Sequence, residues 1–331
     1  MLFLCIVGLV YSLLKHLILI NVEPYQLAGK HVLVTGGSKG IGKALALEAA
    51  RRGASVTIVA RNQQQLIDTH DQLKQICDIN AVSSGKGQRA QWFSLDLTEG
   101  IETIQTTFDQ AAVNLGAVDV LINNAGGSEQ AGFDELPIET FENQVKLNYL
   151  SAVYATRAVL SSMKERHSGR IVFVSSAAAQ IGIWGYSAYS ATKFALRGLA
   201  EALQMELTPY HIRVTVVYPP NTATDGFKRE LETMPKEVRL ISETAGLFEP
   251  KDVARTTLDD TEAGHYSSSF GLDGWMLQTL SAGAAPETNA LRATMQILLA
   301  GLFRFVILIY QNSFDKIVRQ CKIEKEARNT N

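Results

Sequence analysis

The stretch HVLVTGGSKGIGKALALEAARRG, residues 31–53, decides the fold. A short β-branched run leads directly into a glycine-rich turn, and an apolar pattern of helical period follows the turn. Glycines allow a tight turn and let the backbone approach a pyrophosphate, which then lies at the N-terminus of the helix. The stretch therefore predicts a dinucleotide-binding turn whose contacts come from Gly36, Ser38, Lys39, Gly40, Ile41 and Gly42.

The same alternation of strand and helix continues through residues 29–275. Short β-branched runs occur at residues 31–35, 55–60, 91–95, 119–123, 170–175 and 213–218, and longer amphipathic stretches separate them. Nearly continuous apolar strands with helices between them are typical of a parallel sheet that is covered on both faces. We therefore expect one α/β domain, a doubly wound parallel sheet of the Rossmann type, with its ligands beyond the carboxyl ends of the strands.

Both ends of the chain are more apolar than this domain. Residues 1–20 contain only Lys15 and His16 as strongly polar side chains. A helix of about 20 residues spans about 30 Å, the thickness of the hydrocarbon core of a bilayer. We predict an N-terminal membrane anchor over residues 1–22, with a cleaved signal or an interfacial helix as the alternative.

A second apolar stretch, residues 295–310, lies within a predicted C-terminal membrane-associated segment over residues 276–331. Arg304 in its middle favours a helix that lies on the membrane at least as strongly as one that crosses it. A buried C-terminal helix is the alternative. The basic tail that follows favours the cytosolic side of the membrane.

The composition excludes several classes of protein. Of 331 residues, 46% are hydrophobic, which is far too many for a disordered chain. A net charge of −2 gives no electrostatic reason to expect a nucleic-acid partner. The 3 cysteines are far apart, indicate no disulfide framework and fit a reducing compartment. No motif has metal-ligand spacing, so no metal site is predicted.

One arginine indicates which dinucleotide binds. In proteins that bind NAD, an acidic residue about 20 residues beyond the turn accepts hydrogen bonds from the ribose 2′-hydroxyl. Here the second predicted strand leads into Arg61, with no carboxylate nearby in the sequence. A guanidinium pairs with a 2′-phosphate, and Lys39 adds a second cation within reach. We therefore expect NADPH rather than NADH.

Tyr189 and Lys193 are the candidates for acid–base chemistry. Their spacing of four residues puts both side chains on one face of a helix. A phenol titrates near pH 10 and is a poor acid or base at neutral pH, so an adjacent ammonium is expected to favour its ionised form. Ser175 and Ser176, at the end of a predicted strand, are candidates for a hydrogen bond to the substrate oxygen.

Several motifs in order resemble the short-chain dehydrogenase/reductase family. They are the turn at residues 35–42, Asn-Asn-Ala-Gly at 123–126, the serine pair, the Tyr-x-x-x-Lys pair and a proline-rich loop at 218–222. The resemblance implies a ketone reductase whose tyrosine, lysine and serine act with Asn148. Ser176 has the family's usual spacing from Tyr189, and Ser175 is the alternative. Further cofactor contacts implied by the resemblance are Asp96, Asn123, Tyr189, Lys193 and Thr222, with Thr224 competing with Thr222.

Residues 188–207 and 301–321 resemble one branch of that family, which reduces long-chain 3-keto sphingoid bases with NADPH at the endoplasmic-reticulum membrane. The branch implies a long-chain 3-keto sphingoid base as substrate, membrane lipid as partner and a catalytic domain that faces the cytosol, and it allows a homodimer. Asp225 and Glu230 are candidates, by position, for contact with the substrate ammonium. The alternatives are a membrane-anchored steroid or retinoid reductase and a non-catalytic NADPH-binding scaffold.

Overall fold

A computed structural model describes residues 2–17, 25–84 and 87–329. At its centre lie the strands β1 (His31–Thr35), β2 (Ser55–Ala60), β3 (Ala90–Ser94), β4 (Val120–Asn123), β5 (Gly169–Val174), β6 (Ile212–Val217) and β7 (Ser267–Ser268). All their pairings are parallel, and the strand order is β3-β2-β1-β4-β5-β6-β7. The predicted doubly wound sheet of the Rossmann type is therefore confirmed.

Helices accompany the sheet on both faces and extend beyond it. They are α1 (Leu2–Leu17), α2 (Gly40–Arg51), α3 (Gln63–Ser84), α4 (Ile101–Leu115), α5 (Ile138–Gln144), α6 (Ser151–Glu165), α7 (Ser187–Leu207), α8 (Asp225–Thr233), α9 (Lys236–Ser242), α10 (Pro250–Glu262), α11 (Gly271–Ser281) and α12 (Ala290–Asn329). Apolar residues of α2, α3 and α10 pack on one face of the sheet, and those of α4, α6 and α7 pack on the other.

The central strands are apolar throughout because each face of the sheet is covered. Every residue of β1 and of β5 is buried. Successive side chains of a strand point to opposite faces, so Val32 and Val34 join the core beneath α2, whereas Leu33 joins the core beneath α6 and α7. This double coverage explains why the strands read as continuous apolar runs rather than as alternating ones.

The sequence located six of the strands to within one residue at each end. It missed β7, which has two residues, both of them serine. This strand pairs with Val216 and Val217 at the edge of the sheet. So short and polar a strand carries no periodic signal, and its position follows only from the pairing.

The strand order places the site. It reverses between β1 and β4, and in such sheets ligands bind in the crevice beyond the carboxyl ends of the strands at that reversal. The glycine-rich turn follows β1, the Asn-Asn-Ala-Gly sequence follows β4, and the serine pair follows β5. All three motifs therefore meet at one edge of the sheet.

The two terminal helices lie outside this core and pack against each other. In the described part of the chain, α12 is the helix long and apolar enough to cross a bilayer. More than half of the surface of Leu302, Phe305 and Ile309 is exposed, so α12 is not the buried C-terminal helix considered above. Of the predicted terminal segments, residues 1, 18–22 and 330–331 lie outside the described residues.

Both ends of α12 are bonded to the α/β domain. Near its start, Arg292 donates a hydrogen bond of 2.8 Å to Asp260 of α10. Near its end, Lys325 donates one of 2.7 Å to Glu135, and Glu324 pairs with Lys236 of α9. A helix held at both ends by one domain runs along the surface of that domain.

Candidate active site

A cavity of about 500 Å³ lies beyond the carboxyl ends of the strands. Residues from the glycine-rich turn, from the loops after β2, β4, β5 and β6, and from α7 line it. The structure brings most of the residues singled out in the sequence to this cavity: Gly36, Ser38, Lys39, Gly40, Ile41, Gly42, Arg61, Asp96, Ser175, Ser176, Tyr189, Lys193, Thr222 and Thr224. Asn123 and Asn148 are not among its lining residues.

The glycine-rich turn is too tight for side chains at three of its positions, Gly36, Gly37 and Gly42. Gly36 has a φ of +65°, a conformation that favours glycine. A Cβ on Gly42 would lie 2.2 Å from the carbonyl oxygen of Gly36 and 2.4 Å from Nδ2 of Asn124. The amide of Asn124 also donates to the carbonyl oxygens of Thr35, at 3.0 Å, and Gly36, at 3.2 Å. Asn124 thus ties the end of β4 to the turn.

Asn124 lines the cavity, whereas the sequence had suggested its neighbour Asn123. Asn123 is the last residue of β4, and its amide donates a hydrogen bond of 3.1 Å to Thr156 of α6. Successive residues of a strand point to opposite faces, so the two asparagines take different directions. The motif alone could not assign the two faces.

Three cations surround the far end of the cofactor turn. Arg61 lies 3.7 Å from Asp96, and both line the cavity. The pKa of Lys39 is lowered by burial and by the charges of Arg229 and Arg61. Burial alone would raise the pKa of Asp96, but hydrogen bonds from Thr98 and the charge of Arg61 bring it below its usual range. This concentration of positive charge suits an anion such as a phosphate.

The two serines after β5 have different partners. Ser175 is buried, and its hydroxyl donates a hydrogen bond of 3.1 Å to the carbonyl oxygen of Lys193. The Ser176 hydroxyl accepts one of 3.1 Å from the N–H of Ala178, and it also interacts with the phenol of Tyr189. Ser176 therefore faces the phenol and Ser175 braces α7. The geometry favours Ser176 as the serine that meets a substrate.

Lys193 and Asn148 lie side by side behind the tyrosine. The Lys193 ammonium donates a hydrogen bond of 3.0 Å to the carbonyl oxygen of Val174 and lies 5.6 Å from the centre of the Tyr189 ring. A Cβ on Gly126 would be 2.9 Å from Oδ1 of Asn148 and 3.4 Å from the Lys193 ammonium. The absence of a side chain at Gly126 therefore leaves room for both groups.

Asn148 sits in a π-helical turn, Val145–Leu150, between α5 and α6. Its amide donates to the carbonyl oxygen of Gly127, at 3.0 Å, and to the hydroxyl of Thr192, at 3.1 Å. Its Oδ1 accepts from the N–H of Gly127 at 2.9 Å. Wider turns of this kind occur often at functional sites. Asn148 is thus fixed against α7 rather than exposed on a regular helix.

Thr222 and Thr224 both line the cavity, but each also has a local role. The Thr222 hydroxyl donates a hydrogen bond of 2.9 Å to the carbonyl oxygen of Pro220. The Thr224 hydroxyl accepts from the N–H of Phe227 and caps α8. Thr222 therefore shapes the loop after β6, and Thr224 starts the helix that follows it.

A model of the short chain dehydrogenase family matches residues 30–235, which include the glycine-rich turn and the Tyr189–Lys193 pair. The chain belongs to the short chain dehydrogenase family. The matched range ends before α9, so α11 and α12 lie outside the part that the family shares.

Relatives of this dehydrogenase cover almost its whole length. A 3-ketodihydrosphingosine reductase of Mus musculus is 46% identical over 328 residues, which are 98% of this chain and 97% of the relative. A 3-dehydrosphinganine reductase of Danio rerio is 47% identical over 308 residues, 93% of this chain and 91% of the relative. A 3-ketodihydrosphingosine reductase of Dictyostelium discoideum is 35% identical over 316 residues, 93% of each chain.

A solved structure also supports the assignment of this chain to the dehydrogenase family. It is a 7α-hydroxysteroid dehydrogenase complexed with NADH and 7-oxo glycochenodeoxycholic acid, 27% identical to this dehydrogenase. The two superpose with a TM-score of 0.63 over 72% of this chain and 89% of that one. The family and this neighbour indicate a nicotinamide cofactor, and the glycine-rich turn fits its pyrophosphate because the turn lines the cavity at the N-terminus of α2.

The pKa of Tyr189 in this dehydrogenase is raised, whereas the sequence predicted that it would be lowered. Burial raises the pKa of Tyr189 to about 12, although the interaction with Ser176 lowers it, and the charge of Glu230 raises it further. Burial also lowers the pKa of Lys193 to about 8. The charge of Lys193 is not among the causes that shift the pKa of Tyr189, so the expected lowering by the ammonium is not found and burial dominates. A protonated phenol is the form that a general acid requires.

The remaining wall of the cavity comes from α11 and α12, which no motif in the sequence linked to the site. Met276 and Leu277 of α11 line it, as do Ile307, Tyr310 and Phe314 of α12. The three residues of α12 have the spacing of one helical face. The stretch around Ile307 and Tyr310 is apolar on every side, so its sequence did not indicate which face turns inward. One side of the cavity is thus apolar and built by the C-terminal helix.

Proposed function

We propose that this dehydrogenase reduces a long-chain 3-keto sphingoid base, 3-dehydrosphinganine, to sphinganine in sphingolipid synthesis. The observation that carries this proposal is the cavity wall that α12 supplies, because it gives a Tyr189 and Lys193 centre an apolar surface suited to an alkyl chain. A relative named for this reaction matches 98% of the chain, so its similarity extends beyond the family's shared range into α12. The non-catalytic alternative leaves the juxtaposition of Ser176, Tyr189, Lys193 and Asn148 without a purpose.

The residues divide the work as follows. Tyr189 donates its proton to the ketone oxygen, and Ser176 donates a hydrogen bond to the same oxygen as negative charge develops there. Lys193, held by the carbonyl oxygen of Val174, stabilises the tyrosinate that remains, and Asn148 positions α7 through Thr192. A bound NADPH supplies the hydride that the carbonyl carbon takes up.

The test is NADPH oxidation by the membrane-bound protein with 3-dehydrosphinganine, a steroid ketone and retinal offered in parallel. We expect 3-dehydrosphinganine to give the highest kcat/KM. The steroid ketone is included because the solved neighbour holds a bile-acid ketone. A higher kcat/KM for the steroid or for retinal would overturn the substrate proposed here.

The preference for NADPH is proposed from the cations Lys39, Arg61 and Arg229, which repel one another until an anion joins them. Replacing Arg61 by alanine is expected to raise the KM for NADPH about tenfold, because an exposed charge-assisted hydrogen bond to the 2′-phosphate is lost. The KM for NADH, which has no such phosphate, should change less than about twofold. Steady-state kinetics with both cofactors measure this difference, and Arg51→Ala on the exposed side of α2 is the control. Equal changes for both cofactors would refute the role of Arg61.

We further propose that the enzyme is held at the endoplasmic-reticulum membrane, with its catalytic domain, residues 29–275, facing the cytosol. The outward side of α12 and helix α1 form the apolar surface that would meet lipid, with Leu9, Leu13, Leu302, Phe305 and Ile309 exposed on it. The ion pairs at Arg292 and Lys325 are about 50 Å apart along α12, yet both end on the same domain. This supports a helix that lies on one leaflet rather than one that crosses the bilayer.

Cysteine labelling in sealed microsomes tests this topology. The native cysteines are replaced, and single cysteines are introduced as Ala284→Cys and Arg328→Cys, on either side of the apolar stretch. Both are expected to react with a membrane-impermeant maleimide before detergent is added, and added protease should digest the catalytic domain. Protection of one position until detergent is added would mean that α12 crosses the membrane.

A further inference from the structure

Helix α8 presents one acidic side chain to the cavity and two to solvent. Gly226, Phe227 and Glu230 line the cavity, and their spacing puts them on one face of the helix. On the other face, Asp225 is exposed and lies 3.6 Å from Lys228. Glu232 is exposed as well. The structure therefore separates the two acids that the sequence offered as equals, and it turns Glu230 toward the site.

Glu230 has no cationic partner among the described residues. No ion pair involves it, and burial is the cause that raises its pKa, to about 7. Its charge nevertheless reaches both tyrosines of the cavity, because it raises the pKa of Tyr186 and of Tyr189. A half-buried carboxylate without a counter-ion is costly unless a cation joins it. The missing cation would have to come from a molecule in the cavity.

We propose that Glu230 binds the ammonium group of the substrate and so selects 2-amino ketones over ketones that lack a free amine. This inference rests on the proposed function, in which the amino group is carried by the carbon next to the carbonyl. Glu230 lines the same cavity as Tyr189 and Ser176, so a ketone oxygen at these two residues leaves the neighbouring ammonium in the space that Glu230 faces. The apolar wall of α12 then accommodates the alkyl chain.

Two other acids line the cavity: Asp96, which pairs with Arg61, and Asp273, which competes for this role. Asp273, on α11, is half-buried next to the apolar residues Met276 and Leu277. Its charge is not among the causes that shift the pKa of Tyr189, whereas that of Glu230 is. Glu230, which lines the cavity and whose charge acts on Tyr189, is therefore the stronger candidate.

The test compares two substrates that share the ketone and the alkyl chain. They are 3-dehydrosphinganine and its N-acetyl derivative, which cannot carry a positive charge. For Glu230→Gln, kcat/KM for the free amine is expected to fall roughly 10- to 100-fold, because a hydrogen bond between charged groups is lost. For the N-acetyl derivative it should change less than about threefold. Glu230→Asp should restore part of the preference, and Glu232→Gln on the exposed face is the matched control.

Each outcome decides between stated alternatives. If Glu230→Gln lowers kcat/KM for both substrates equally, or for neither, the inference is refuted while the proposed function stands. If Asp273→Asn rather than Glu230→Gln removes the preference, the ammonium site belongs to α11. If the wild-type enzyme reduces neither substrate, the proposed function fails and the inference fails with it. Thermal unfolding of each variant shows whether a loss comes from misfolding.

Discussion

Replacing Tyr189 by phenylalanine is expected to lower kcat for ketone reduction about 10³-fold, the usual contribution of a positioned general acid. The variant removes one hydroxyl and keeps the ring that Lys193 and Tyr186 contact. Because the pKa of Tyr189 is raised to about 12, the phenol holds its proton at neutral pH and can donate it to a ketone oxygen. The measurement is single-turnover oxidation of NADPH at saturating substrate.

Two further measurements test whether the loss of activity comes from the missing hydroxyl of Tyr189. The Kd for NADPH, from quenching of tryptophan fluorescence, should stay within about threefold of the wild-type value, since one hydrogen bond at most is removed. Tyr210→Phe should retain full activity, because Tyr210 packs against His167 and Lys164 outside the cavity. Undiminished reduction by Tyr189→Phe would exclude the tyrosine as the proton donor.

The second large effect is expected at Gly42. In Gly42→Ala, the new Cβ would lie 2.2 Å from the carbonyl oxygen of Gly36 and 2.4 Å from the amide of Asn124. Gly36 belongs to the cofactor turn and Asn124 is hydrogen-bonded to it, so the turn must widen or the helix must move away. We expect the distorted turn to weaken NADPH binding by about 3 kcal/mol, the size of a typical overpacking cost, which corresponds to a rise of about 100-fold in the Kd that a direct titration measures.

The control for this variant is another glycine. Gly198→Ala, on α7, places its Cβ where no heavy atom lies within 4 Å, and it should leave the affinity for NADPH unchanged. Circular dichroism distinguishes local distortion of the turn from loss of the fold. An unchanged Kd in Gly42→Ala would show that the turn is more adaptable than its contacts indicate.

Much of the fold was predictable because the strands and the cofactor turn depend on residues that are close together in the sequence. The runs at residues 31–35 and 55–60 became strands with those bounds, since continuous β-branched runs have few alternatives beneath two layers of helix. The turn from Gly36 to Gly42 was recognisable for a similar reason, because its conformation depends on a few consecutive residues. β7, with its pair of serines, had no such pattern.

The site was predictable where a motif carried it and not where distant segments meet. Arg229 lies near Lys39 only because α8 folds back over the cofactor turn, and no spacing in the sequence predicts that proximity. The side of α12 that faces the cavity could not be predicted either, because apolar residues around Ile307 and Tyr310 occur on every side of the helix. The pKa of Tyr189 was expected to fall, but a charge pattern says nothing about how deeply a phenol is buried.

The continuity of α12 has a consequence for how substrate is found. The helix runs unbroken for 40 residues, is joined to the domain at Arg292 and at Lys325, and lines the cavity between these points. A domain attached in this way has no hinge about which to turn relative to a lipid surface, so the cavity keeps one orientation toward it. With α12 on one leaflet, as we propose, encounters with an amphiphile would be two-dimensional, and the rate would follow the mole fraction of substrate within the leaflet rather than its concentration in water.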